Sequence, residues 1–371
     1  MISLANLKIW VLFPYLETDD PNLQYYYDFS QSLEEYTKVF AELEADWTWQ
    51  PVTMQNFRTI VSEIREKSGV KTPVVLNLCD GDEVNGTPGV SVIHALEQED
   101  LIYTGSSAYF YDITTSKIPM KKAFDAAQVS TAKWEVIAEE EKLHGIFDRL
   151  GSPLIIKPAI SGGSMGVSIK NVVHNETELL VRLAELKKGY RGWDLNCGGL
   201  FVEKYIAGRE FTTFLIGAAK RIKQCKLFEP VERIFHSSLK EEERFLSFDR
   251  LWEIYEDETP MPNQENFYEY TSVADEQLSD QLKQLSLQAY ASVKGTGYTR
   301  IDFRMDNAGK LYVLEVNAQC GLSEDENYTS IGAILKASNI SFLQVVVAVL
   351  EEAFKQKDAA LLKQLKRRKA A

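Results

Sequence analysis

Cysteine and histidine are scarce in this 371-residue chain, four of each, and neither is grouped. Cys79, Cys197, Cys225 and Cys320 show no C-x-x-C spacing, which argues against structural zinc and a disulfide framework and leaves reduced thiols as the expectation. His94, His144, His174 and His236 stand in no nucleophile or metal spacing and read as structural or surface residues. A Walker P-loop, G-x-x-x-x-G-K-[ST], is absent, as are internal repeats and low-complexity linkers. No apolar run is long enough for a membrane span, and the opening residues lack the basic-then-apolar design of a signal peptide, so a cytoplasmic location is expected. Positive charge is in deficit: 41 Lys and Arg against 54 Asp and Glu give a net −13, which disfavours a general nucleic-acid surface. The one basic run, Lys363 to Lys369, reads as a solvated chain end.

What is present suits a soluble globular protein, with 45% hydrophobic and 26% charged residues. The length predicts two or three domains. Residues 6 to 113 alternate strand and helix: an apolar strand Leu7–Phe13, a helix carrying Phe29, Leu33, Tyr36, Phe40 and Leu43, a strand Val74–Leu78, and a helix from about Gly89 to Gln98. This predicts a small α/β domain with parallel strands. Between its last strand and helix, Asp80-Gly81-Asp82-Glu83 looks like a calcium loop, but Val84 stands where the next ligand belongs, so the stretch is read as a substrate-side loop.

From Thr114 the pattern changes. A helix is expected over Lys117–Ala127, then extended chain at Trp134–Ile137, and a strand Leu154–Pro158 that runs into Ala159-Ile160-Ser161-Gly162-Gly163-Ser164-Met165-Gly166. A glycine loop beside a strand-borne lysine can lay N–H groups and an ammonium against phosphates, or be a plain flexible hairpin. A helix Glu176–Lys187 and a strand Leu200–Ile206 follow, and Glu203 and Glu210 bracket a turn whose backbone can seat a nucleotide base while one acid meets a ribose. Residues 235 to 266 form an irregular, acid-rich insertion, a solvated loop or a lid.

Near the end, Thr299–Met305 and Leu311–Asn317 read as an antiparallel hairpin. With a four-residue loop, Asn307 to Lys310, Asp302 lies opposite Glu315 and Arg300 opposite Asn317; a three- or five-residue loop would flip one strand. Facing carboxylates sit roughly 5 Å apart and repel, so they ask for a cation between them, and oxygen ligands with an amide two residues on suit Mg²⁺ shared with phosphates. The bland reading is a solvated hairpin with its acids in water.

Lys117 ahead of a helix, Lys157-Pro158 with its Gly-Gly-Ser-Met-Gly loop, Glu203-Lys204-Tyr205-Ile206 with Glu210, and Arg300-x-Asp302…Glu315-x-Asn317 together resemble the ATP-grasp superfamily, and within it the D-alanine–D-alanine ligase branch. The order agrees from about Asn77 to Leu322. The resemblance implies an α/β fold of ATP-grasp type: an N-terminal parallel-sheet domain (1–113), a central subdomain (114–205) and a C-terminal subdomain with closing helices (206–371), the last two clamping ATP. It implies that Lys117 and Lys157 hold phosphates under the loop Gly162, Gly163, Ser164 and Gly166. Glu203, the backbone of Lys204 and Ile206, and Glu210 would bind adenosine. Asp302, Glu315 and Asn317 would carry two Mg²⁺ ions, for which Mn²⁺ can substitute, and Arg300 with the Gly321 N–H would form the oxyanion site. The implied reaction joins a small carboxylate to an amine through an acyl phosphate, and a homodimer is expected from the resemblance alone.

Departures fall on the amino-acid side. Pro14-Tyr15-Leu16-Glu17 stands where the family has Gly-Gly-x-Ser-x-Glu. Gly163 takes the place of the loop's serine, Val273 and Ala274 those of the lid's lysine and tyrosine, Cys320 that of a proline, and Glu324-Asp325-Glu326 that of a serine that receives a substrate carboxylate. Acids there would repel a carboxylate and welcome an ammonium or a polar neutral group. Two other readings remain open: an ATP-grasp kinase, distinguished by phosphoryl transfer without amide formation, and a non-catalytic nucleotide-binding regulator, distinguished by binding without turnover.

Overall fold

The computed structural model describes residues 4–16, 28–84, 86–139, 143–325 and 329–370. Its first sheet is built from β1 (Leu7–Pro14), β2 (Asp46–Val52), β3 (Thr72–Asn77) and β4 (Ile102–Tyr103), all parallel, in the order β2-β1-β3-β4. Helices α1 (Ser30–Glu42), α2 (Phe57–Lys67) and α3 (Val90–Gln98) connect them. The apolar run of β1 is buried on both faces, as a parallel strand under helices must be. Trp10, Leu12, Val61 and Leu96 form the core on one face. On the other, Ile9, Val11, Tyr36 and Phe40 pack with Phe214, Tyr298, Ile331 and Phe342 from the end of the chain, so this core ties the first sheet to the last. The parallel α/β expectation holds. β2 and α2 were not legible in sequence: β2 is an edge strand of half-exposed residues that includes Pro51, and its tryptophans carry no clean alternation of burial.

After α4 (Ala108–Thr115) and α5 (Lys117–Ala126) comes a second sheet of β5 (Trp134–Ile137), β6 (Leu154–Pro158), β7 (Val172–Val173) and β8 (Leu200–Lys204), antiparallel in the order β5-β8-β6-β7. Between β5 and β6 lies the short α6 (Ile146–Leu150). Helix α7 (Glu176–Lys187) covers the sheet through Leu179, Leu183 and Leu186, with Asn175 accepting from the Glu178 N–H at its N-terminus.

The third sheet runs β12-β11-β9-β13-β14, again antiparallel, from β9 (Arg209–Ala218), β11 (Val231–Phe235), β12 (Tyr268–Ser272), β13 (Thr296–Met305) and β14 (Leu311–Ala318), with β10 (Lys226–Leu227) beside β9. Within the insertion between β11 and β12 the regular α-helix is α8 (Phe248–Trp252). Then α9 (Glu276–Ser292) packs Leu278, Leu282 and Tyr290 on one face of this sheet against Phe124 of α5, and α10 (Ser330–Ser338) and α11 (Phe342–Ala370) pack on the other. Among the described residues no single helix is long and apolar enough to cross a membrane.

Candidate active site

The β13–β14 hairpin sets the site. Arg300 pairs with Asn317 and Asp302 with Glu315. That register arises differently from the four-residue loop expected. Met305 pairs with Leu311, so the loop has five residues, Asp306 to Lys310, held by Asp306 Oδ1 accepting from the Ala308 and Lys310 N–H groups at 3.0 and 2.9 Å. A bulge then slips the pairing by one between Phe303 opposite Val313 and Asp302 opposite Glu315, with Leu314 as the extra residue. The bulge undoes the flip a five-residue loop would cause, and all four polar side chains return to one face.

Asp302 is 6% exposed. Its Oδ1 accepts from Thr212 Oγ1 at 2.7 Å, and its Oδ2 from Asn317 Nδ2 and Arg300 Nη2, each at 2.9 Å. Burial opposes its ionisation, but Arg300 and Arg233 outweigh burial and hold the carboxyl below its usual range. Glu315 meets Lys117 Nζ at 3.3 Å. Among the described residues no group of three or more His, Cys, Asp or Glu side chains gathers as a metal cage. Two carboxylates and an amide on one face instead fit a hard cation that takes its other ligands from phosphate and water.

Lys117 opens α5, its N–H bonded to Ala159 O and its Nζ to Ser161 O at 2.9 Å, so the glycine loop and the hairpin meet through one side chain. Lys157 on β6 reaches Glu203 at 2.8 Å, and the same carboxylate takes Lys121 at 2.5 Å from below. Lys121, 1% exposed, was missed in the sequence; its signal is the four-residue spacing from Lys117. Burial favours a neutral Glu203, but Lys121 and Lys157 win and lower it to about 2.

Downstream, Glu210 is 4% exposed and accepts from Arg233 and, at 2.8 Å, from Arg304. Arg304 also donates to Ile206 O at 3.1 Å and to Arg244 O, while the Lys204 N–H bonds Lys133 O. A nucleotide entering here meets groups that already have partners. Arg233 and Arg304, both nearly buried, carried no motif that could announce this.

The glycine loop turns on left-handed residues: Gly163 and Ser164 have φ of 52° and 63° and Gly166 has 72°. The 235–266 insertion fastens it. Trp252 Nε1 donates to Gly163 O and Ser164 Oγ to Leu246 O, both at 2.8 Å, and the Phe248 N–H bonds Val167 O. The insertion is thus packed on the loop. At the position of the expected lid, only residues 273–275 separate β12 from α9, so Val273 and Ala274 sit in a tight connection.

Residues 122–351, more than half of the chain, match the model of the D-ala D-ala ligase C-terminus family. The chain belongs to that family. A D-alanine–D-alanine ligase of Bordetella petrii is 25% identical over 261 residues, 70% of each chain. One from Acinetobacter baumannii is 26% identical over 258 residues, 69% of this chain and 73% of the relative. Among solved structures, the D-alanine–D-alanine ligase of Bacillus anthracis complexed with ATP superimposes with a TM-score of 0.66 at 18% identity, over 95% of this chain and 99% of its own. The VanG D-Ala:D-Ser ligase of Enterococcus faecalis gives 0.66 at 17%, with the same coverage. The expected ATP-grasp fold holds.

A cavity of about 1520 Å³ is bounded by the glycine loop, the insertion, β12, and the segment Asn317 to Leu322. Gly321 faces it with room to spare, since a Cβ there would meet only Thr329 Cγ2, at 3.9 Å. Glu17 and Glu326 lie outside the described residues. Glu35 Oε1 accepts from Ser323 Oγ at 2.6 Å and the Glu324 N–H at 3.2 Å, and Ser323 Oγ accepts from the Asp325 N–H at 3.1 Å. Asp80 and Asp82 line the cavity, whereas Glu83 turns away to cap α3, accepting from the Gly89 and Ser91 N–H groups. That use of Glu83 agrees with rejecting a calcium loop. Asp80 is exposed at the cavity wall, where crowding by the surrounding protein, with Asp82 alongside, raises its carboxyl above the usual range, and among the described residues no side chain pairs with it.

Proposed function

We propose that the protein is an ATP- and magnesium-dependent carboxylate–amine ligase working through an acyl phosphate, on a substrate pair other than two D-alanines. The observation that carries this reading is the bulge-corrected register that sets Arg300, Asp302, Glu315 and Asn317 on one face within reach of Lys117. Asp302, Glu315 and Asn317 would hold the magnesium ions, or manganese in their place, which supply charge neutralisation for the γ-phosphate. Lys117 and Lys157 leave Glu315 and Glu203 to meet phosphate oxygens as the substrate carboxylate attacks. Adenosine would sit along Glu203 to Glu210, displacing part of the Arg233 and Arg304 pairing. The glycine loop, held by Trp252 and Leu246, excludes water from the acyl phosphate. Arg300, donating from a planar fork beside the Gly321 N–H, stabilises the tetrahedral oxyanion as the amine adds. The products are ADP, phosphate and an amide. A cytoplasmic, dimeric enzyme is part of the same proposal.

The test is incubation with ATP, Mg²⁺ and a panel of amino acids and small carboxylates, with hydroxylamine as the trapping amine. ADP release with a hydroxamate of matching mass supports the ligase. A phosphorylated alcohol would make it a kinase, ATP binding without ADP in any combination would make it a regulator, and efficient D-alanyl-D-alanine synthesis would contradict the altered substrate pair.

A further inference from the structure

Three charged side chains from β6, β8 and α5 meet without balancing. Glu203 on β8 stands opposite Ile155 on β6, so Lys157, two residues along β6, is its diagonal neighbour on the same face. Lys157 Nζ donates to Glu203 Oε1 at 2.8 Å, and Lys121 Nζ lies 2.5 Å from Oε2. Two ammoniums on one carboxylate leave one positive charge over.

The two lysines are held on different terms. Lys121 is 1% exposed, and its Nζ also donates to Thr131 Oγ1 at 2.8 Å, a hydroxyl that itself donates to Val313 O on β14 at 2.9 Å. The Val313 N–H bonds Ser130 O at 2.8 Å in return, so the segment that anchors Lys121 is fixed to the hairpin. The Lys157 side chain is 18% exposed, and among the described residues its ammonium has no partner other than Glu203. Of the two, Lys157 is the one free to leave. The second phosphate lysine needs no such arrangement: the side chain of its acid, Glu315, is 28% exposed, so water or a cation can replace the Lys117 ammonium. The Glu203 side chain is 3% exposed, and without a lysine it would be an unpaired carboxylate in the interior, a severe cost.

Resting on the ligase reading, which sets Lys157 against the phosphates, we propose that Lys121 is a positioning residue for nucleotide binding: it stays on Glu203, so that Lys157 can leave that carboxylate for a phosphate without stranding a buried charge. Lys121 itself touches no nucleotide. As Lys157 gives up one oxygen of Glu203, the carboxylate keeps an ammonium on the other, and repulsion between the two lysines favours the exchange. Without Lys121 the same move would leave Glu203 alone in the interior. Lys157 would then stay with its acid, and the phosphates would lose a contact.

The experiment is calorimetric titration of the intact chain with adenosine and, separately, with ATP and Mg²⁺, read as the ratio of the two affinities. Adenosine has no phosphate, so the ratio isolates what the phosphates gain. Lys157→Ala is expected to lower it about tenfold, the order of one charge-assisted contact. Lys121→Met is expected to lower it as much although Lys157 is intact, and Lys121→Met combined with Glu203→Gln to restore it, because no acid then holds Lys157. A purely structural Lys121 would weaken both ligands alike, so an unchanged ratio in Lys121→Met overturns the proposal. The double variant strands no charge and carries the test where Lys121→Met fails to fold: a ratio still about tenfold below that of the unaltered protein would mean that Lys121 does not act through Glu203, and overturns the proposal as well. An unchanged ratio in Lys157→Ala is a separate failure, since it takes Lys157 off the phosphates and removes the reading on which the proposal rests.

Discussion

The acids of β8, β9 and β14 and the acids that line the cavity are placed on opposite terms. Along those three strands the acids pair within the protein: Glu203 with Lys121 and Lys157, Glu210 with Arg233 and Arg304, Glu315 with Lys117. A ligand there exchanges one set of charge pairs for another, which keeps the site ordered without it. In the cavity lining Asp80 is exposed, and among the described residues no side chain pairs with it. The contrast separates acids that tie strands and helices together from acids that face solvent.

The largest effect that can break the comparison is in the hairpin. Arg300→Ala should lower kcat by on the order of 10² to 10³ while ATP affinity changes only a few-fold, and Asp302→Asn should lose turnover at least as severely; steady-state kinetics with equilibrium ATP binding checks both. Unchanged turnover in Asp302→Asn would refute its metal-bridging role. Next comes Lys121→Met, which leaves Glu203 buried with one cation. About 3–5 kcal/mol of stability should be lost, read by denaturant unfolding, because a broken buried pair strands a charge. Trp252→Phe keeps an aromatic ring but removes the bond to Gly163 O. It should destabilise by about 1 kcal/mol and raise the KM for ATP several-fold, sharpening the claim that the insertion holds the phosphate loop.

The smallest effect is thermal. Asp80 has a folded-state pKa raised above the usual 3.8 to about 6, so its ionisation weakens the fold at pH above 6 and the penalty fades as pH falls toward 3.8. Because Asp80 is exposed and solvent screens its charge, Asp80→Asn should raise the apparent unfolding midpoint only slightly at pH 7.5, and the gain should shrink at pH 5 as Asp80 takes up a proton. A variant less stable at pH 7.5 than the unaltered protein would show that Asp80 is a structural residue.

Much of this was legible in sequence, for physical reasons that differ by element. The apolar run of β1 and the helical spacing of Leu33, Tyr36 and Phe40 in α1 marked their type, because burial dictates those patterns. The pairing of Asp302 with Glu315 was also legible, but through compensating departures: a loop one residue longer and a bulge at Leu314, neither of which leaves a mark in composition. Lys121, Arg233 and Arg304 were not legible as site residues, since their meaning comes from Glu203 and Glu210, brought close by two different sheets. Nor was the fastening of the glycine loop, because Trp252 lies 89 residues away from its acceptor.

The proposed ligase chemistry requires that a carboxylate oxygen be phosphorylated. The direct measurement uses ¹⁸O in the carboxylate that supports ADP release, with mass analysis of the phosphate formed. One ¹⁸O transferred to each inorganic phosphate is the result expected of an acyl phosphate that an amine then displaces. Phosphate without label, or label retained in a phosphorylated product, would contradict it.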